Sequence, residues 1–312
     1  MVRHEFTFLS ADGVTQLHAV QWLPEGEVRA VLQLVHGVAE YILRYEPLAA
    51  FLTERGFAVV GHDHLGHGFS VAEGAPRLYF GPRGSWNWVV EDVRALQEQT
   101  QRQFPELPYF ILGHSMGSFL LRTYLARHSR EVDGAIIMGT AHIGGAALAA
   151  AKLFVACQIR KIGEQNPSPA VTKLSFGTYN RMFAPNRTPY DWVTLSRTTV
   201  DAYLTDPMCG ENPSIGLFRE RLDGMAFMGR PENIRTINPD LPVIFLSGAM
   251  DPVGGCGKGV RQAFDLFQRA GLRKVSMKLY PDLRHEILNE DCREEIYQDI
   301  YRWLTEHLPV RV

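Results

Sequence analysis

Tyr109-Phe-Ile-Leu-Gly-His-Ser-Met-Gly-Ser-Phe-Leu-Leu-Arg-Thr-Tyr-Leu125 is the stretch whose reading decides the fold. Tyr109–Leu112 is a short apolar run of strand type, and Leu120, Leu121, Tyr124 and Leu125 recur at helical spacing. Between them stands Gly113-His-Ser-Met-Gly117, a G-x-S-x-G sequence. The five residues alone arise by chance in many chains, but a strand before and a helix after make them a nucleophile elbow. Two glycines leave room for a sharp turn that lifts Ser115 above a sheet. The free amides at the start of the following helix favour negative charge developing there. The plain alternative is a tight glycine turn with a hydrogen-bonded serine.

Outward from the elbow, strand-like and helix-like patterns alternate. Glu5–Leu9 and Leu17–Leu23 predict an opening antiparallel hairpin. Ala30–Val35 is almost continuously apolar, as expected of a strand covered on both faces, and Phe57–Gly61 is another. Tyr45, Leu48, Ala49 and Leu52 mark one helix, and Trp88, Val89, Val93 and Leu96 mark the next. Ala135–Met138, Leu241–Leu246 and Lys274–Tyr280 continue the strands. Val260, Ala263, Phe264 and Phe267 predict a further helix, and Ile296, Tyr297, Ile300, Tyr301 and Leu304 line the face of a closing one. Repeated strand–helix units imply an α/β fold with a mostly parallel sheet and helices on both faces.

The rhythm stops between about Ala141 and Asn238. No strand is evident there, and the stretch opens with the small-residue helix pattern GGAALAAAKLFVACQI. Such a length far exceeds the usual connection of about 2–6 residues, so it reads as an inserted helical unit. The expected division is a core of residues 1–140 and 239–312 and a helical insertion of residues 141–238. In the insertion's first helix, Leu148, Leu153 and Phe154 are candidate substrate contacts, with simple core packing as the equal alternative.

Composition removes several classes of function. Apolar residues are 46% and charged residues 21% of the 312, which excludes a disordered or collagen-like chain. Thirty-two Lys and Arg against thirty-four Asp and Glu, scattered along the chain, give no general attraction to nucleic acid. Cys157, Cys209, Cys256 and Cys292 stand far apart with no CxxC pair, the pattern of reduced thiols. Ala146–Ile159 is broken by Lys152 and falls short of the roughly 20 residues that span a bilayer. The start of the chain carries no apolar run of signal-peptide length, so a soluble, cytoplasmic protein is expected.

Serine is a poor nucleophile until a base takes its proton, and that base needs an orienting acid. On this kind of fold the chain order is Ser, then Asp or Glu, then His. Asp251 follows the strand Leu241–Leu246, and His285 follows the last strand in YPDLRHEIL. Both therefore sit at strand C-terminal ends, where open α/β sheets place ligands. Asp282 shares the turn of His285, His307 falls in the closing helix, and His114 points elsewhere on the elbow; these are weaker candidates. Main-chain N–H groups of Val38 and Met116 are the expected oxyanion donors, while His36 and Glu40 brace the loop. His62-Asp-His-Leu-Gly-His67 contains possible metal ligands, but its place directly after a strand favours a hydrogen-bonded loop, and no metal is expected.

With these residues in place, the chain resembles the α/β-hydrolases of the monoacylglycerol lipase and lysophospholipase-like group, which overlaps the serine aminopeptidase family. The resemblance rests on HG-x-x-E at His36–Glu40, on Arg44-Tyr45, on HDHLGHG-x-S at His62–Ser70, on GHSMG, and on the Asp251 and His285 segments. It covers about residues 5–140 and 240–310. It implies an eight-stranded α/β-hydrolase sheet with a helical cap over an apolar acyl tunnel, and it again assigns the oxyanion donors to Val38 and Met116. It further implies a serine esterase acting on lipid monoesters such as monoacylglycerols or lysophospholipids, with an apolar acyl group, without a cofactor, in transient contact with a lipid surface. Two alternatives stay open. An aminopeptidase needs carboxylates for a substrate amine, and Glu164, Glu211 and Glu220 are available but form no cluster; a silent binding protein would usually lack part of the triad.

Overall fold

The structure, a computed structural model, describes residues 1–308. Its eight strands are β1 Val2–Leu9, β2 Gln16–Leu23, β3 Ala30–Val35, β4 Phe57–His62, β5 Tyr109–His114, β6 Gly134–Met138, β7 Val243–Gly248 and β8 Val275–Tyr280. They form one sheet in the order β1-β2-β4-β3-β5-β6-β7-β8. The β1–β2 and β2–β4 pairs are antiparallel and all others parallel. Each expected strand is present with small changes at its ends. The strand read at Leu241 starts two residues later because Pro242 offers no N–H; its carbonyl instead accepts from Ala135 (3.0 Å).

The strands between the edge strands β1 and β8 are buried on both faces, so their alternate side chains feed two separate cores. Val31, Val35, Tyr109 and Ile111 point to one, which is filled by α2 (Trp86–Gln103), α3 (Met116–His128) and α9 (Lys258–Arg269). Leu32, Leu34, Phe110 and Leu112 point to the other, filled by α1 (Glu46–Thr53) and α10 (Arg293–Glu306). Chain order reverses between β3 and β5, which lie side by side with Val35 opposite Gly113. Such a switch point opens a crevice at the strand C-terminal ends. The loop after β3 and the elbow after β5 border it.

Between β6 and β7 lie α4 (Gly145–Ile162), α5 (Pro169–Phe176), α6 (Arg197–Thr205), α7 (Ile215–Met228) and the short α8 (Pro231–Ile234). These helices are not equally peripheral. In α7, Leu217, Phe218, Leu222 and Met225 are buried in the same core as α3, and a Cβ at Gly224 would stand 2.3 Å from the Trp86 ring. In α4 only Val155 is buried. Among the described residues no helix is long and apolar enough to cross a membrane.

Candidate active site

Ser115 sits at the tip between β5 and α3 with φ 52° and ψ −119°, a conformation unfavourable for a residue with a side chain. Strain of this kind is of order 1–3 kcal/mol and is held by its surroundings. Here the packing is close enough to do so. A Cβ at Gly117 would lie 1.9 Å from the Val35 carbonyl oxygen, and one at Gly113 would lie 2.5 Å from that of Gly117. The Ser115 N–H donates to Met138 (3.0 Å), and the Ser118 hydroxyl donates to the Ser115 carbonyl (2.6 Å).

The turn aims Ser115 Oγ at His285 Nε2 (2.9 Å), and His285 Nδ1 lies 2.9 Å from Asp251 Oδ2. Asp251 is fully buried and His285 nearly so. A carboxylate only accepts, so Nδ1 carries the proton and Nε2 is left free to accept from Ser115. Asp251 is itself fixed, its Oδ1 accepting from the Val253 N–H (2.8 Å). Asp282, the rival acid, is exposed in the β8 turn with φ 62°.

The loop after β3 closes over the serine. Gly37, Val38, Met116 and Ser115 line one small chamber with His285. Because α3 begins at Met116, that N–H has no intrahelical acceptor. Glu40 holds the loop by accepting from the Gly37 N–H (2.6 Å), the Tyr45 hydroxyl (3.0 Å) and Arg44 (2.6 Å). Arg44 also reaches Glu286 with both terminal nitrogens (2.8 and 2.6 Å), joining the loop to the segment that carries His285. Burial opposes the charge of Glu40, but His114 and Arg44 hold its carboxyl well below the usual range. Burial likewise opposes the charge of Arg44, and the two carboxylates outweigh it.

His114 does not point away from the site. Its Nδ1 faces Glu40 Oε1 (3.2 Å) and its Nε2 faces the His285 carbonyl (3.3 Å). The HDHLGH segment is a packed loop. Asp63 accepts from the main-chain N–H groups of Ile42 (2.8 Å) and Phe69 (2.9 Å) and contacts His18 Nδ1 (2.9 Å). His36 Nε2 accepts from the His64 N–H (3.0 Å).

The expected α4 contacts need correction. Leu153 is 68% exposed, and Leu148 and Phe154 pack on the core; none of the three lines the space around Ser115. Most alanines of α4 are exposed, Ala151 packs on the core, and the larger residues turn inward to the core or out to solvent. Side chains from the irregular segments and from α5 to α7 take that place: Phe176, Tyr179, Trp192, Tyr203 and Arg221 line the serine chamber. The Trp192 ring lies 5.4 Å from that of His285. Val38, Phe176, Trp192 and Tyr203 continue into a cavity of about 560 Å³ bounded by Pro167, Pro169 and Pro189. No helical or strand period marks these residues in the sequence.

A family model described as "Serine aminopeptidase, S33" matches residues 26–292. The chain belongs to that family. It is 29% identical to a monoacylglycerol lipase of Mycolicibacterium smegmatis over 98% of each chain. It is 25% identical to the human monoglyceride lipase, covering 96% of this chain and 89% of that one. Among solved structures, a thermostable carboxyl esterase of Bacillus coagulans in complex with glycerol superposes with a TM-score of 0.90 and 28% identity, covering 98% and 99% of the two chains. The protein is an α/β-hydrolase of the monoacylglycerol-lipase-like group, a group of carboxylic ester hydrolases.

Proposed function

We propose that the protein hydrolyses lipid monoesters such as monoacylglycerols or lysophospholipids through an acyl-enzyme on Ser115. The observation that carries this reading is the Ser115–His285–Asp251 line, at 2.9 Å for each contact, opening onto an apolar cavity. His285 takes the Ser115 proton as Oγ attacks the ester carbonyl, and Asp251 holds the imidazolium that forms. The N–H groups of Val38 and Met116 receive the oxyanion. His285 returns its proton to the departing alcohol, and water then attacks the acyl-enzyme with His285 again as base. The helices of residues 141–238 serve as a cap, and the cavity of about 560 Å³ takes the acyl chain. The four free cysteines fit a reducing cytoplasm.

Peptide hydrolysis has less support. The carboxylates that a substrate amine would need are engaged: Glu164 with Tyr79 and Arg219, Glu211 with Arg77, and Glu220 with Arg219 and the amides of Gly84 and Trp86. Fluorophosphonate labelling that disappears in Ser115→Ala tests the nucleophile. A series of p-nitrophenyl esters tests the acyl cavity. kcat/KM rises from acetate to medium chains, by up to about 0.8 kcal/mol for each methylene buried. Thr172→Trp, in the cavity wall, shortens the preferred chain, whereas the exposed Leu153→Trp does not. Faster cleavage of aminoacyl amides than of any ester would overturn the reading.

A further inference from the structure

A second cavity, of about 370 Å³, adjoins the serine chamber and shares no lining residue with the apolar one. It shares Phe119, Tyr179, Val253 and Arg221 with the chamber as a common wall. Its charges differ from those of the acyl cavity, where Lys173 and Glu211 offset one another. Arg221, Lys258, His142 and Gln262 contribute side chains to its lining, and no Asp or Glu does. The Asp251 carboxylate would stand 3.8 Å from a Cβ at Gly254 in that lining, and it is occupied by His285 and the Val253 amide.

Arg221 is the unusual member. Among the described residues it has no hydrogen-bond or ion-pair partner, and its Nε is buried without one. Its guanidinium lies against apolar faces instead, 4.9 Å from the Phe218 ring centre and 5.7 Å from that of Phe176. The residue is half-buried: its Nε has lost its hydration without recompense, while its terminal nitrogens are not buried. Burial accordingly pulls the pKa of Arg221 down, with no carboxylate to oppose it. A second unpaired cation stands behind the same wall. Arg122 is 1% exposed, with Nε and Nη2 unpartnered, and its Nη1 donates to the carbonyl of Ala141 (3.0 Å), a residue of the cavity lining. The cavity also meets the first turns of α4, at Gly144 and Ala147, and of α9, at Lys258 and Gly259. Both helix starts add positive potential. Every fixed charge lining this space therefore has one sign, and it adjoins the bond to be broken.

We infer that this cavity receives an anionic head group on the alcohol side of the ester, a phosphate monoester such as that of an acylglycerol phosphate, with Arg221 as its principal contact. The inference rests on the ester-hydrolase reading above. Ser115 then stands between an apolar cavity for the acyl chain and a cationic one for the leaving alcohol. Hydrolysis releases a fatty carboxylate and glycerol phosphate, with water supplying the oxygen and protons. Arg221 positions the head group and takes no part in proton transfer.

Two measurements test the assignment. The first compares kcat/KM for octanoylglycerol 3-phosphate and octanoylglycerol below their aggregation limits. The phosphate ester is expected to be preferred by roughly tenfold to a hundredfold, the range of a charge-assisted hydrogen bond, and Arg221→Gln should bring the ratio towards one. A ratio near one in the unaltered protein, or a preference that survives Arg221→Gln, overturns the head-group assignment while leaving the ester reading intact. The second measurement does not depend on turnover. Calorimetric titration of Ser115→Ala with glycerol 3-phosphate, inorganic phosphate and glycerol should show the phosphate ester bound most tightly and lost on adding Arg221→Gln. Inorganic phosphate binding as tightly as glycerol 3-phosphate would mark a free-anion site and overturn the proposal. So would the failure of all three to bind. Absence of both fluorophosphonate labelling and ester turnover would instead count against the parent reading.

Discussion

Asp251→Asn is the substitution for which the structure specifies a mechanism of failure. The two oxygens of Asp251 have different neighbours: Oδ1 accepts from the Val253 N–H at 2.8 Å, whereas Oδ2 faces His285 Nδ1 at 2.9 Å. An asparagine must present its own oxygen to the Val253 donor, since its NH2 would meet that N–H donor to donor. The NH2 then occupies the place of Oδ2 and donates to His285 Nδ1. That reverses the tautomer, putting the proton on Nε2, and Nε2 no longer accepts from Ser115 Oγ. The side chain keeps its volume, and Ser247 still lies 3.4 Å from the altered atom, so the fold should persist. The comparable change in serine proteases lowers kcat by roughly 10⁴-fold through the same tautomer effect, and that loss is expected here with KM little altered. Steady-state turnover of p-nitrophenyl butyrate, with circular dichroism to confirm folding, measures it. A folded Asp251→Asn protein with kcat within tenfold of the unaltered one would refute the assigned roles of Asp251 and of the His285 tautomer.

Gly117→Ala should abolish soluble, folded protein rather than merely slow the enzyme, because the new Cβ would stand 1.9 Å from a main-chain oxygen of β3; normal yield and an unchanged melting temperature would contradict this. His62→Phe should flatten the acid dependence of stability. Burial, aided by His36, holds His62 down to about 3. The unfolded chain therefore binds the extra proton below about pH 6.5, and the stability from the neutral ring is present above that value and is lost as pH falls. Between about pH 7.5 and 5.5 the share of His62 in that loss is about 1.4 kcal/mol. Urea unfolding of both proteins at the two pH values isolates this share, since every other titrating group is common to them; equal pH dependence in the two would sink the assignment.

The parts of the site visible in the sequence are those attached to regular elements. Ser115 follows an unbroken apolar strand and precedes a helix, and Asp251 and His285 each follow a strand, so periodicity alone brings them to one edge of the sheet. Lining residues from the long insertion had no such guide. Trp192 reaches the site from a turn-rich segment, and its aromatic character is shared with many residues that do not. The α4 face is not legible in the sequence for a physical reason: with alanine at six of its eighteen positions, the helix has little apolar asymmetry, and the sequence does not say which side faces inward. Arg221 was equally hidden. A cation on a helix ordinarily points to water, and only the packing of α7 against the core turns this one towards the crevice.

The Arg44 cluster shows how residues far apart in sequence hold the crevice in register. Glu40 and Glu286 are both buried carboxylates and require compensating charge. Arg44 lies between them and supplies one positive charge. His114 supplies the other, as its hydrogen bonds require: both of its ring nitrogens face acceptors, Glu40 Oε1 and the His285 carbonyl, so both must carry protons. Burial opposes that charge, yet Glu40 raises the pKa of His114 above the ordinary value. Two carboxylates, one guanidinium and one imidazolium thus balance. The cluster ties the loop after β3 through Glu40, the end of β5 through His114, and the last catalytic segment through Glu286 and the carbonyl of His285. Burying these charges in a crevice brings little net stability, since desolvation offsets most of their attraction. What it fixes is geometry: the three segments carrying Val38, Ser115 and His285 meet through one set of directional contacts, which supports a serine and a histidine held 2.9 Å apart.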